Sequence, residues 1–398
     1  MNIPAIEGGK PIRKTFLVFG KPKVTEAEIR EVVDTIKSGW LGTGPKTKAF
    51  EEQFRKYCGS KFAIALNSCT AGLHLALDVL GIKNGDEVIT TPLTFPSTAN
   101  VIVHHHATPV FVDIDKSTWN IDPDQIVNKI TPKTRVIIPV DLHGRPCNYD
   151  KILKIAKEHQ LHIIEDAAHA AEAIYKGKRV GTIADFTAFS FYVTKNIMTG
   201  EGGMLTTNKR EWADEARIRS LHGISKDAWK RYSSEGFKPY ETLYPGYKYN
   251  MMDLVASFGL HQLANVEKNL KVRTRYWDMY TVAFKKIDVL TTPLDEEKNT
   301  RHARHLYAVL LNLERLKISR DKFLDALRAE NVGAGIHFTA LHLHKYYRET
   351  YNHKMGDYPN SEYVGARTIS LPLSPAMSKT DIRDVIDAVL KLVKYYRK

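Results

Sequence analysis

The chain has 398 residues, 43% hydrophobic and 26% charged, with a formal net charge of +13. That length exceeds what one compact core usually takes, so two domains are expected, and the composition is that of a globular protein rather than a fibrous or disordered one. No run approaches the ~18 apolar residues of a membrane span, and Met1-Asn2-Ile3-Pro4 opens no basic-then-apolar leader, so neither a membrane nor a secreted location is expected.

Three cysteines, Cys58, Cys69 and Cys147, stand at unrelated spacings that make neither a disulfide framework nor a zinc site, which fits a reducing cytoplasm. The basic residues are scattered rather than gathered into one arm. Stretches such as Lys226 to Lys230 read as solvated helix faces, so nucleic acid is not the expected partner. A small anionic substrate, such as a nucleotide diphosphate compound, would answer the same positive field.

From Phe62 to Thr207, short β-branched runs alternate with helical patterns, which predicts a largely parallel sheet covered by helices. Phe62 to Leu66 reads as a buried strand, Asn67 to Thr70 as a turn with capping residues, and Ala71 to Leu80 as a helix. Strands are expected at Glu87–Thr91, Pro109–Asp113 and Val136–Val140. Ile152–His159 reads as helix before the strand Leu161–Ile164 with its acidic end, Glu165-Asp166. Thr187–Phe191 and Met204–Thr207 continue the sheet. A single long helix is then predicted from Asp253 to about Phe284, followed by a strand at Tyr307–Leu311 and helices at Arg320–Glu330 and Thr380–Tyr396. The division expected is a large sheet domain, 1–252, and a smaller α/β domain, 253–398, with a cleft between them.

Chemistry concentrates at strand ends, which in such sheets face the ligand crevice. Asn67-Ser68-Cys69-Thr70-Ala71-Gly72 joins a strand to a helix, where free N–H groups and the helix dipole favour a phosphate. Cys69 and Thr70 would donate by backbone and Thr70 also by hydroxyl; as a helix start alone, the pattern is weak. Phe95, between Pro92 and Pro96, is either core or a face for an aromatic ligand. Asp166 is either a helix N-cap or a buried carboxylate for a ligand cation. His169 would share a helical face with Asp166 and is either hydrogen-bonded scaffold or a ring lying against an aromatic cofactor. Ser190 and Lys195 lie five residues apart in Phe189-Ser190-Phe191-Tyr192-Val193-Thr194-Lys195, just before Glu201-Gly202-Gly203, glycines that let backbone pass close to something. A lysine so placed, with a carboxylate at another strand end, is what pyridoxal 5'-phosphate (PLP) chemistry needs. The amine forms a Schiff base with the cofactor aldehyde and later moves protons, while Asp166 keeps the pyridine nitrogen protonated.

The remaining histidines receive plainer readings. His104-His105-His106 closes a helix and is expected to be partly exposed. His337, His342 and His344 lack the cysteine or carboxylate spacing of a metal set, so no metal is expected. His337 reads as a cleft residue near substrate.

These residues in this order resemble the DegT/DnrJ/EryC1/StrS family of PLP-dependent nucleotide-sugar aminotransferases. The resemblance runs from Ser38-Gly39-Trp40-Leu41-Gly42-Thr43-Gly44-Pro45 through the Asn67 segment, Glu165-Asp166-Ala167-Ala168-His169-Ala170 and the Lys195 segment. It continues at Pro245-Gly246-Tyr247-Lys248-Tyr249-Asn250-Met251 and His337-Phe338 and ends at Lys345-Tyr346-Tyr347-Arg348-Glu349. It implies PLP-dependent transferase fold type I and a homodimer with shared active sites. By position, Lys195 matches the Schiff-base lysine and Asp166 the partner of the pyridine nitrogen. Cys69, Thr70 and Ser190 match phosphate contacts, Phe95 the ring-stacking aromatic, and Asn250 an asparagine reaching the phosphate in the other subunit. Without the resemblance, Asn250 would read as a cap for the helix at Asp253. Cys69 replaces a smaller residue common in the family, and Val193 an alanine or proline; neither moves the lysine.

The implied reaction carries an amino group from L-glutamate to a keto sugar of a nucleotide diphosphate sugar. His169 and the Lys345–Glu349 segment favour C4 over C3 and look closest to enzymes making 4-amino-4-deoxy-arabinose on a uridine nucleotide. A 3-keto sugar remains the alternative. A pyridoxamine-dependent dehydratase would have histidine in place of Lys195. A non-catalytic sugar-nucleotide binder would not need Lys195, Asp166 and Ser190 together. A nicotinamide enzyme would need a glycine fingerprint after the first strand.

Overall fold

The computed structural model describes residues 3–225 and 240–398. The Lys226 to Lys230 stretch, read above as a solvated helix face, lies outside them. Two helices come first, α1 (Glu26–Ser38) and α2 (Pro45–Cys58). Thr25 starts α1 through a capping box with Glu28. The Asp253 carboxylate starts α2 from far along the chain, accepting from Gly44 N at 2.7 Å and from Lys46 N and Thr47 N at 2.9 Å.

The next elements alternate as predicted. They are β1 (Phe62–Leu66), α3 (Cys69–Val79), β2 (Glu87–Thr90), α4 (Pro96–His104), β3 (Thr108–Phe111), α5 (Pro123–Ile126), β4 (Thr134–Ile137), α6 (Tyr149–Glu158) and β5 (His162–Asp166). A small hairpin, β6 (Ile174–Tyr175) and β7 (Lys178–Arg179), precedes β8 (Phe186–Ser190), β9 (Gly203–Thr207) and α7 (Arg210–Arg219). The large sheet has seven strands in the order β1-β9-β8-β5-β4-β2-β3. Strands β8, β5, β4, β2 and β3 run parallel. Strand β9 runs against both its neighbours, so β1 points the same way as β8. The carboxyl ends of six strands therefore share one edge. Near-continuous burial along β1, β5 and β8 is what a sheet covered on both faces imposes.

The expected single helix from Asp253 to Phe284 is instead two, α8 (Asp253–Ala264) and α9 (Val266–Phe284). Asn265 stands at the break, at φ −97°, ψ −1°, and its Nδ2 donates to the His261 carbonyl at 2.9 Å, the local competition that disfavours asparagine inside helices. Helix α8 packs on α1 and α2. Beyond α9 come β10 (Leu290–Thr291), β11 (Tyr307–Leu311), α10 (Arg320–Ala329), α11 (Lys345–Tyr351), α12 (Pro359–Arg367), β12 (Thr368–Leu371) and α13 (Lys379–Tyr396). Strands β10, β11 and β12 form a second, antiparallel sheet. Its core unites Trp277, Tyr280, Phe323 and Val389, with Leu17 from the N-terminal stretch completing it. Among the described residues, no helix is long and apolar enough to cross a membrane. Cys58, Cys69 and Cys147 are buried and unpaired.

Candidate active site

A cavity of about 490 Å³ opens at the carboxyl edge of the large sheet. Its walls gather Cys69, Thr70, Phe95, Asp166, His169, Ser190, Lys195 and His337, eight of the nine positions singled out from sequence. Three different strand ends and two helix starts contribute, which is why no short motif held the whole set.

Lys195 follows β8 in a turn closed by its own amide, which donates to the Tyr192 carbonyl at 2.8 Å. The turn is anchored by Phe191, fully buried against Phe50 and Phe54 with ring centroids 5.2 and 5.5 Å away. The ammonium is half-buried against the cavity wall. Burial lowers its pKa to about 8, against the pull of the Asp166 carboxylate. The amine is thus partly free near neutral pH.

Asp166 ends β5, 4% exposed. Its Oδ2 accepts from the Thr98 hydroxyl at 2.8 Å and its Oδ1 from the Ala168 amide at 3.2 Å. No helix follows it, so the N-cap reading falls. For the same reason His169 does not share a helical face with Asp166: residues 167–170 form a turn in which Ala170 N donates to the Ala167 carbonyl at 2.9 Å. Burial raises the Asp166 pKa, while Thr98, Ala168 and Lys195 lower it. A dry carboxylate that meets neutral donors and, among the described residues, pairs with no cation is suited to a protonated ring nitrogen.

The phosphate candidate lies at the start of α3. Ser68 caps the helix, its hydroxyl accepting from Ala71 N at 3.0 Å, which leaves the Cys69 and Thr70 amides ahead of the internal helical bonds. Strand β9 passes directly behind: a Cβ at Gly203 would sit 2.5 Å from the Cys69 nitrogen. This is the close passage expected of the glycines after Glu201. Cys69 contributes more than backbone, because its side chain reaches to 4.0 Å from Asp166 Oδ1. Burial, then Asp166, push its thiol pKa well up, so it stays neutral. Ser190 offers its hydroxyl from the end of β8.

Phe95 is 57% exposed, so it is not core; it faces the cavity beside Phe338, with centroids 5.8 Å apart. His169 is buried in the cavity wall, 6.0 Å from Phe338 between ring centroids, with its Nδ1 accepting from His143 N at 3.2 Å. His337 Nδ1 pairs with Ser370 Oγ at 2.9 Å, and burial pushes its pKa down to about 3. Asn250 alone stays outside this cavity. Its Nδ2 donates to Thr43 Oγ1 at 2.6 Å and its Oδ1 accepts from Lys248 at 2.7 Å. It does not cap α8, whose N-cap is Met252.

The other histidines separate. His104 and His106 are exposed, while His105 is half-buried and stacked on His74 at 4.3 Å. His342 is buried against Glu362 at 2.9 Å, a carboxylate that sequence spacing did not reveal, and His337 lies in the cavity apart from it. Thr98, Tyr192, His305 and Phe338 were missed. Only Thr98, in the hydroxyl-rich Thr94-Phe95-Pro96-Ser97-Thr98 run, had a local signal.

The donor set fits PLP: a half-buried amine, a carboxylate awaiting a cation, open helix-start amides and an exposed ring converge on one space. A sequence model of the DegT/DnrJ/EryC1/StrS aminotransferase family matches residues 22–390. The spore coat polysaccharide biosynthesis protein SpsC of Bacillus subtilis is 49% identical over 96% of this chain and 98% of its own. Spr1654 of Streptococcus pneumoniae, solved in a PLP form, is 34% identical over 96% of this chain and 99% of that one, with a TM-score of 0.89. DesI, solved with its TDP-sugar product, is 31% identical over 97% and 95%, with a TM-score of 0.85. With its fold, its cavity and its whole matched length in agreement, this chain belongs to the DegT/DnrJ/EryC1/StrS aminotransferase family and is a PLP-dependent sugar aminotransferase of fold type I.

Proposed function

We propose that the chain moves an amino group from L-glutamate to C4 of a keto sugar carried on a nucleotide diphosphate, as a cytoplasmic homodimer with shared active sites. The observation that carries the reading is the convergence of Lys195 and Asp166 on one cavity with an anion-binding helix start. The likeness to DesI supports a nucleotide-linked sugar, and that to SpsC a role in polysaccharide synthesis. When bound, PLP supplies an aldehyde that accepts an amine and a ring that withdraws electrons from the carbon next to it.

The residues divide the work. Lys195 Nζ would hold the cofactor by its aldehyde and, as the free amine, take a proton from Cα of the amino donor. It returns a proton to the amine-bearing carbon of the sugar. Positioned proton transfer of this kind contributes about 10²–10⁴-fold, and an amine titrating near 8 can act both ways. Asp166, kept dry by the sheet, pairs with the ring nitrogen. The Cys69 and Thr70 amides, the Thr70 hydroxyl and Ser190 hold the phosphate. Phe95 and His169 would lie against the ring, and His337 would meet the sugar. Asn250, outside its own cavity, reaches the phosphate in the second subunit.

A panel of 3-keto and 4-keto nucleotide sugars with glutamate, products assigned by NMR, tests this. Amination at C4 is expected. A cofactor-loaded protein that aminates none of them, or aminates only at C3, would overturn the reading.

A further inference from the structure

Two imidazoles on the cavity wall have their protons assigned by their neighbours. Asn196 Nδ2 donates to Glu172 Oε2 at 2.8 Å and to the Ala303 carbonyl at 3.0 Å. Turning that amide over would set its oxygen against two acceptors, so its orientation is settled by what surrounds it. Glu172 is paired with Arg273, and both are sealed in the interior. Asn196 Oδ1 therefore faces His305 Nδ1, at 3.1 Å. An acceptor at that position requires Nδ1 to carry the hydrogen.

The His305 ring is neutral, since burial and then Lys195 hold its pKa well below the ordinary value. Its Nε2 is then a bare lone pair. His305 lines the cavity, and among the described residues its Nε2 has no partner, yet it is not sealed away. His169 has the opposite arrangement: its Nδ1 accepts from His143 N, so its Nε2 bears the proton. With the two ring centroids 4.5 Å apart, this wall presents one N–H and one acceptor side by side.

Which group entering the cavity could use a lone pair? Phosphates and the carboxylates of an amino donor are acceptors and would be repelled, and the donor's amine is the group that reacts with the cofactor aldehyde. A sugar brings hydroxyl groups, which donate. We propose that His305 determines specificity by accepting, at Nε2, a hydrogen bond from a hydroxyl of the acceptor sugar, with Asn196 and the Glu172–Arg273 pair holding it in that tautomer. This assignment rests on the sugar-amination reading above.

Two measurements decide it. In ¹⁵N-histidine spectra of the protein with and without cofactor, His305, identified by loss of its signals in His305→Phe, should show a protonated Nδ1 and a bare Nε2 at neutral pH. An Nε2–H tautomer or an imidazolium overturns the proposal. The two half-reactions are then followed separately by cofactor absorbance. His305→Phe keeps a ring but leaves the sugar hydroxyl unpaired, so kcat/KM for the keto-sugar half should fall about 10- to 100-fold. The amino-donor half should change less than about threefold. His305→Gln, which offers an amide oxygen, should recover part of the loss. Equal slowing of both halves, an unaffected sugar half, or no recovery in a folded Gln variant overturns it. A wild type that accepts an amino group yet passes it to no keto sugar sinks the functional reading instead. The hydroxyl role would fall with it, while the spectra still settle the tautomer.

Discussion

Thr98 offers the sharpest test of how this site controls charge. Its hydroxyl is fully buried, donates to Asp166 Oδ2 at 2.8 Å, and lies 2.8 Å from the Thr94 hydroxyl. Since Thr98 gives its hydrogen to the carboxylate, Thr94 must donate to Thr98. Thr98→Val keeps the shape and removes the donor. Hydrogen bonds to charged groups contribute about 1.5–3 kcal/mol, and 1.36 kcal/mol corresponds to one pKa unit, so the Asp166 pKa should rise by about one to two units. Burial already raises it and Thr98 opposes that rise; the variant therefore moves it further in the same direction. The carboxylate form would be lost from the acid side, and the ring nitrogen would lose its partner at a higher pH. The acid limb of the kcat profile should shift upward by about the same amount, with Thr94 turning to water in the cavity it lines. The assay is kcat against pH for wild type and Thr98→Val, with cofactor absorbance recorded at each point. An unmoved acid limb in a folded, cofactor-loaded variant would refute the assignment of Asp166 as the charge partner.

Lys195, titrating near 8, should react with an amine-directed reagent in cofactor-free protein along a curve centred there. At pH 7 roughly a tenth is free amine, against roughly one in three thousand for an ordinary lysine. A curve centred near 10.5, the ordinary value, would count against its burial in this wall. Gly203→Ala drives a Cβ into the Ser68–Cys69 backbone. Overpacking of this kind costs about 1–3 kcal/mol, and the cost should appear both in melting temperature and as weaker retention of PLP on dialysis. Asn250→Ala should also weaken PLP retention, although its own cavity is untouched. Mixed with Lys195→Ala subunits, it should regain activity in exchanging dimers, and absence of rescue would argue against a shared site.

Much of this protein was legible from local sequence. The strands are short β-branched runs, and Gly203 falls where backbones nearly touch. Lys195, Asp166 and the Ser68-capped helix start sit at strand ends, where a parallel sheet must present them. These follow from periodicity and from the chemistry of single residues, which act over a few positions. The break at Asn265 was less legible, because one side chain taking a carbonyl interrupts an otherwise continuous helical pattern. Tertiary structure alone decided the fate of His169, which reaches the wall through a turn rather than a helix, and of Phe95, which a core could equally have claimed. It also brought Thr98 to Asp166 and His305 to Asn196 across 68 and 109 residues. Hydrogen-bond partners so far apart in the chain leave no spacing to read; they exist only once the sheet has ordered its strands.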